Sequence, residues 1–263
     1  MNLSRLFVLL TTVTGLFGAT GVDTFHWSGK MPAGQRLEVR GVNGSIHAEP
    51  ASGDEVEVIA FKNGREYDAS EIDVRVVQHD GGVTICAVYP SSDGLSDECA
   101  PGGNGALNSL KNDVSVDFTV RVPKAVRFVA RTVNGLVEAK SLEADTEAHT
   151  VNGNVRVSTA GAAQGETVNG SITASMGRIT SAAKFSTVNG AITLEMPACT
   201  GARVHANTVN GRINTEFGLP VRGQYLSKRA DGAIGHGGPD LRIATVNGSI
   251  KLRRSRNGDH TKI

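Results

Sequence analysis

At 263 residues the chain has room for one or two domains, and its formal charge of +1 favours neither nucleic acid nor an acidic membrane surface as a partner. Aromatic residues make up only 5%, while glycine reaches 32 residues with no collagen period, which assigns the glycine to turns and tight corners.

Residues 1–21 read as an export signal. Met1 to Arg5 is a short positive start, Leu6 to Phe17 is apolar, and Ala19-Thr20-Gly21 supplies small residues at a cleavage point. The apolar run is too short for a membrane-spanning helix, and no later segment is long and apolar enough either. Without Arg5 the remaining chain carries no net charge. The expected location is periplasmic, surface-associated or secreted.

Residues 22–125 form a first β region. Short alternating runs at Arg36–Val42, Glu55–Phe61, Ile72–Val77, Val83–Val88 and Val114–Val122 are bounded by Gly, Asp, Asn or Pro, as strands are. Residues 91–113 read as one long loop. Cys86 and Cys99 flank its first part. In an oxidising compartment a bridge between them closes a loop of ~14 residues, worth about 3 kcal/mol in the chain-entropy description, with two unpaired thiols as the alternative. Cys199, in a Pro-Ala-Cys-Thr-Gly corner, reads as a small buried residue rather than a nucleophile.

Residues 126–252 carry the most telling pattern. Thr-Val-Asn-Gly begins at Thr132, Thr150, Thr167, Thr187, Thr208 and Thr245, and Gly41-Val42-Asn43-Gly44 is a seventh copy lacking Thr. The asparagines from Asn134 to Asn247 are spaced by 18, 17, 20, 21 and 37 residues, and a worn copy at Ala230–Ile234 splits the last interval at Asp231 into 21 and 16. Such a period predicts a stacked array. The fold expected is an all-β, single-domain β-solenoid, a β-helix-like stack of ~18-residue coils with a more irregular N-terminal β region.

Within a copy, Val151, Gly153, Val155 and Val157 share parity, which reads as one buried face, with Thr and Asn outward. An apolar or small residue three before each Val breaks that parity, so the chain must bend there. The ladder residues are Asn43, Gly44, Asn134, Gly135, Asn152, Gly153, Asn169, Gly170, Asn189, Gly190, Asn210, Gly211, Asn247 and Gly248. Two readings stay open for Asn-Gly: a corner using positive φ with stacked asparagines, or a glycine where backbones pack closely. Stacked hairpins are disfavoured, because antiparallel pairing does not place identical tetrapeptides one coil apart. Helix is nearly absent, with weak candidates only at Asn108–Asn112 and Leu142–Glu147.

The repeated Thr-Val-Asn-Gly-x-Ile, the earlier Gly-Val-Asn-Gly-Ser-Ile-His-Ala and the Val-Arg-Val-Pro lead-in at Val120–Pro123 resemble the bacterial "putative adhesin" family, catalogued as domain of unknown function 4097. The likeness spans about Arg36 to Leu252. It implies an all-β stack in an envelope or secreted protein and brings no catalytic residues with it.

Chemistry is not written into the rows. The positions after each ladder Gly (Ser45, Leu136, Asn154, Ser171, Ala191, Arg212, Ser249) hold no recurring carboxylate, as a glycoside-cleaving face requires. Glu138, Glu143, Asp145 and Glu147 cluster in sequence and read as a solvated edge. His149 and His205 precede repeats at unequal offsets, and no Cys-x-x-Cys or His-x-x-x-His spacing occurs. No catalytic, cofactor-binding or metal-ligating residue is assigned, and no cofactor. Trp27, Tyr67, Tyr89 and Tyr225 are too scattered for a sugar-stacking row.

The Thr column could form an exposed array, but β-branched Thr also suits a strand or corner hydrogen bonding, which is the preferred reading. The basic tail, residues 253–263, with Lys251 just before it, reads as an end-cap against edge stacking. The function expected is non-enzymatic: adhesin-like binding or scaffolding at the cell envelope, the partner being an envelope polymer or another protein. A polysaccharide-active enzyme and an envelope sensor are the alternatives.

Overall fold

The computed structural model describes residues 22–90, 99–102, 113–223 and 227–255. The leader, most of the 91–113 loop, the helix candidate at Asn108–Asn112, Tyr225 and the tail from 256 lie outside them. The chain begins with β1 (Val22–Lys30), β2 (Arg36–Arg40) and β3 (Ile46–Pro50). It continues through β4 (Glu55–Asn63), a short 3-10 helix at Ala69–Glu71, β5 (Asp73–His79), β6 (Gly82–Val88) and β7 (Ser115–Val122). The repeats supply β8 (Arg127–Arg131), β9 (Val137–Leu142), β10 (Thr146–His149) and β11 (Val155–Thr159). Next come β12 (Ala163–Glu166), β13 (Ile172–Met176), β14 (Ala183–Asn189) and β15 (Ile192–Pro197). The last six are β16 (Ala202–Asn210), β17 (Ile213–Thr215), β18 (Val221–Arg222), β19 (Lys228–Ile234), β20 (Asp240–Asn247) and β21 (Ile250–Ser255).

The fold is all-β: no α-helix occurs among the described residues, and the candidate at Leu142–Glu147 instead takes in the last residue of β9, a turn at 143–145 and the start of β10. The strands form two large mixed sheets. Sheet I has 10 strands in the order β1-β4-β7-β3-β9-β11-β13-β15-β21-β17, and sheet II has 11 in the order β18-β19-β16-β20-β14-β12-β10-β8-β2-β6-β5. From β8 to β15 consecutive strands alternate between the sheets, and each pairs in parallel with the strand two positions away. Parallel register puts like residues over like. Ile46, Val137, Val155, Ile172, Ile192, Ile250 and Ile213 form one continuous buried column in sheet I. Each such side chain contributes about 1.5–3 kcal/mol on leaving water. In sheet II the same logic trades size: Gly165 pairs with Phe185, and a Cβ on Gly165 would come within 3.3 Å of that ring. One core cluster runs from Met31 to Leu252.

Two expectations about order are overturned. The copy at Thr245 does not follow that at Thr208. β20 lies between β14 and β16, and β21 between β15 and β17. The segment Ala230–Ile234 is no eighth copy: it belongs to β19, which runs antiparallel to β16, with Asp231 opposite His205. The 37-residue interval is therefore spanned by β17, β18 and β19, which complete the end of the stack before the chain returns into it. Of the basic run, Lys251 and Leu252 are flanked on both sides, by β15 and β17, and Arg253 to Ser255 pair with β15, so this part lies within the sheet; the rest of the tail lies outside the described residues.

Candidate functional site

Each Thr-Val-Asn-Gly is the corner that carries the chain from sheet II to sheet I. The corners stack through their main chains: Asn152 N donates to Val133 O at 2.7 Å and Gly153 N to Asn169 O at 3.1 Å. The side chains divide differently from the parity reading. Thr132, Thr150, Thr167, Thr187, Thr208 and Thr245 are buried, at 1–6% exposure, while Val151, Val168, Val188, Val209 and Val246 are exposed at 38–45%. The alternation of sheet II runs on through Ala148 and Thr150 inward and Val151 outward, and it breaks in the corner, where the next buried residue after Thr150 is Val155, five positions on. Each Thr hydroxyl donates to a glycine carbonyl of the neighbouring layer, for example Thr167 Oγ1 to Gly153 O at 2.9 Å and Thr187 Oγ1 to Gly170 O at 2.8 Å. No exposed Thr array exists at these positions; the hydroxyls serve the corner.

The asparagines form one exposed column. Asn134 donates its side-chain amide to Asn43 at 2.8 Å, Asn152 to Asn134 at 2.9 Å, Asn169 to Asn152 at 2.9 Å and Asn189 to Asn169 at 2.8 Å. Asn247 then donates to Asn189 and Asn210 to Asn247, both at 2.8 Å. Among the ladder glycines only Gly44 has positive φ, at 122°. Gly135, Gly153, Gly170, Gly190, Gly248 and Gly211 are required by close packing instead, since a Cβ on any of them would lie within 1.8–2.0 Å of the adjacent layer's glycine oxygen.

The four sequence-adjacent acids diverge. Glu138 faces outward on sheet I, where His47 (3.2 Å), Lys140 (3.0 Å) and Arg156 (3.7 Å) surround it. Burial opposes its ionisation, but the Lys140 and His47 hydrogen bonds outweigh it and hold the carboxyl below its ordinary value. Glu143 pairs with Lys124 at 3.2 Å, and Asp145 accepts from Ala162 N at 3.0 Å. Glu147 lies on sheet II with His149. The four acids engage different partners. His149 and His205 occupy different columns of sheet II, level with Arg131 and Arg242 respectively. Among the described residues, no group of three or more His, Cys, Asp or Glu is placed to hold a metal ion.

Two charged features on sheet II had no sequence signal, because their members come together only through pairing. Glu38, 1% exposed, accepts from Arg131 at 3.2 Å and from Gly102 N at 3.0 Å, and Arg36 stands 3.7 Å away. Arg40 donates to Ala100 O at 3.0 Å. The Cys86–Cys99 disulfide joins the Cys99–Gly102 segment to β6 beside this cluster. Farther along the sheet, His149 sits 3.8 Å from Glu147 and 3.5 Å from Glu166, and Glu166 also holds Lys184. The His149 hydrogen bond, against the cost of burial, lowers Glu166 to about 2; the two carboxylates, against burial, raise His149.

Tyr89 is buried and donates to Val114 O at 3.0 Å; desolvation pushes its hydroxyl up to about 12. Trp27 packs against the core, and Tyr67 is exposed. Cys199 is exposed, not buried as expected. No helix among the described residues is long and apolar enough to cross a membrane.

No family model matches the chain, and no curated protein matches it in sequence. Among solved structures, a putative cell adhesion protein from Clostridium sporogenes is similar over 89% of this chain and 100% of its own, at 11% identity and a TM-score of 0.48. A putative adhesin from Bacteroides fragilis covers 89% of this chain and 97% of its own at 10% identity and a TM-score of 0.31. One from Parabacteroides distasonis has the same coverage at 11% identity and a TM-score of 0.26.

Proposed function

We propose that the chain is an exported, non-enzymatic β-solenoid that binds or scaffolds at the bacterial cell envelope in the manner of an adhesin. The observation that carries this reading is the repeating outer surface. Asparagines from Asn43 to Asn210 form one exposed hydrogen-bonded column, flanked by exposed valines at one strand spacing per layer. A rigid, regularly repeating surface of amides and methyls suits a partner that itself repeats, an envelope polymer above all.

Alternation of strands between two sheets in parallel register supports the solenoid description. The Cys86–Cys99 bridge and the leader pattern of residues 1–21 support an oxidising compartment outside the cytoplasm. The test is retention of the purified chain on separated envelope fractions: peptidoglycan, surface polysaccharide and lipid vesicles. Saturable retention by one fraction is expected, and retention by none overturns the reading.

A further inference from the structure

Where β20 slots between β14 and β16, the outer face of sheet II opens into a basin of about 400 Å³. Its floor is Ala244 together with the main chain at Phe185 and Ile243, whose side chains are buried on the other face. Lys184, Arg242 and His205 stand side by side in register along one wall. Asn207 and Arg229, a cross-strand pair, close another. The basin exists because the chain returns out of order: the three strands that bear Lys184, Arg242 and His205 are adjacent only through the insertion of β20.

Its charge is unbalanced. Glu166 reaches Lys184, Asp240 is shared by Arg203 (3.2 Å) and Arg242 (3.5 Å), and Asp231 is shared by His205 and Arg229 (both 2.9 Å). Three permanent cations, Lys184, Arg229 and Arg242, line the basin beside His205, and no carboxylate is among its lining residues. Arg229 engages Asp231 through Nε, which leaves its terminal nitrogens, and Arg242 holds Asp240 only at the long end of pairing. Exposed pairs of this kind are weak and exchange readily for a ligand oxyanion. Aliphatic stems of Lys184 and Arg242 add apolar surface beside the Ala244 methyl.

A basin with a small apolar floor, a cationic rim and an amide donor matches a sugar ring that carries a carboxylate. We infer that it binds an acidic polysaccharide through its uronic-acid residues, with carboxylates on Arg242 and Arg229, hydroxyls on Asn207 and a ring face over Ala244. The volume lies in the range of small-molecule sites and exceeds what a lone oxyanion fills. The two arginines stand two strands apart, ~10 Å at the ordinary spacing, so one site meets more than one sugar of a chain. This assignment rests on the binding reading above and names its site and ligand.

The test is calorimetric titration of the full chain with hexameric oligogalacturonate, with neutral maltohexaose and inorganic phosphate as comparisons. Two variants separate charge from shape. Arg229→Gln with Arg242→Gln removes the guanidiniums while leaving Asp231 paired to His205 and Asp240 to Arg203. Ala244→Leu fills the floor and keeps every charge. The expected result is saturable binding of oligogalacturonate, with neither comparison binding comparably, and a loss of at least about tenfold in each variant while thermal melts stay near the parent. No binding of oligogalacturonate, equal binding of maltohexaose or phosphate, or an Ala244→Leu variant that binds like the parent overturns the assignment. The same variants are run on the envelope fractions: undiminished retention there discards the basin and leaves the wider binding reading standing, whereas no retention of the parent chain discards both.

Discussion

Asn247 donates its side-chain amide to Asn189 at 2.8 Å, although 58 residues separate them and Asn210 lies nearer in sequence to both. The last copy of the repeat has displaced its predecessor from the position beside the fourth Thr-Val-Asn-Gly tetrapeptide. The two copies share the same Thr, Asn, Gly and Ile positions, so either satisfies the edge offered by β14 and β15. What selects the observed order is the rest of the end: β19 covers the far side of β16 and so leaves β20 only the inner place.

Removing β20 and β21 by truncation after Pro239 exposes the edges of β14, β15, β16 and β17 together. A large loss of stability and concentration-dependent association are expected by thermal melt and light scattering. A truncated chain that melts like the parent contradicts the insertion.

Gly170→Ala places a methyl 1.8 Å from Gly153 O, a backbone atom that cannot move without shifting its whole layer. Denaturant unfolding is expected to show a loss of about 3 kcal/mol or more. Gly53, with open space around its Cβ position and no positive φ, is the control, and Gly53→Ala leaves stability unchanged within about 0.5 kcal/mol.

The inward Thr and outward Val make an ordered pair of predictions. Thr167→Val removes the hydroxyl that serves the Gly153 and Val151 carbonyls and costs about 1–3 kcal/mol, while Thr167→Ser retains most of the stability. Val168→Ala, at an exposed position, costs less than about 1 kcal/mol, and Ile172→Ala in the buried column costs about 2–5 kcal/mol. Equal costs at Val168 and Ile172 contradict this assignment of faces.

The His149 cluster makes stability depend on pH from both sides. His149 is raised above 6.5, so its contribution is complete below 6.5 and is lost as pH rises through the folded value. Glu166 is lowered from 4.5 to about 2, so its contribution is complete above 4.5 and is lost as pH falls toward 2. Stability therefore peaks between 4.5 and 6.5 for this cluster. His149→Gln is expected to flatten the fall above 6.5 and to move the acid loss to higher pH, read from denaturation midpoints across pH. An unchanged profile in that variant contradicts the assignment.

Cys199 is exposed and unpaired, so iodoacetamide labels one thiol in the native chain. Reduction of Cys86–Cys99, with 13 residues of sequence separation, lowers stability by about 3 kcal/mol and, because both residues are buried in the fold, adds two labelled thiols once the chain is in denaturant. Three thiols labelled in denaturant without reductant contradict the bridge.

What the sequence disclosed followed from repetition. Identical tetrapeptides made parallel stacking legible, since only parallel register sets Asn169 over Asn152 and Asn189 over Asn169. The direction of the side chains was not legible: a corner between Ala148 and Val155 breaks the period of two, so parity within one strand says nothing about the next. Copy order was hidden for a different reason. Asp231 restored the numerical period, yet its partner is His205 across an antiparallel pair, which spacing alone does not distinguish from a further layer. The sheet II basin was likewise unreadable, because Lys184, Arg242 and His205 meet only through the inserted strand.

The most direct measurement of the account is cysteine cross-linking at the exposed valines in a Cys199→Ser background. Val188 and Val246 occupy adjacent layers, flanked by the aligned pairs Thr187–Thr245 and Asn189–Asn247, whereas Val209 lies one layer farther, at ~10 Å. Val188→Cys with Val246→Cys is predicted to form a disulfide on mild oxidation, and Val188→Cys with Val209→Cys is not, since a bridge cannot span more than about 7 Å between Cα atoms. The reverse outcome would stack the copies in sequence order and dismantle both the inserted strand and the basin built on it.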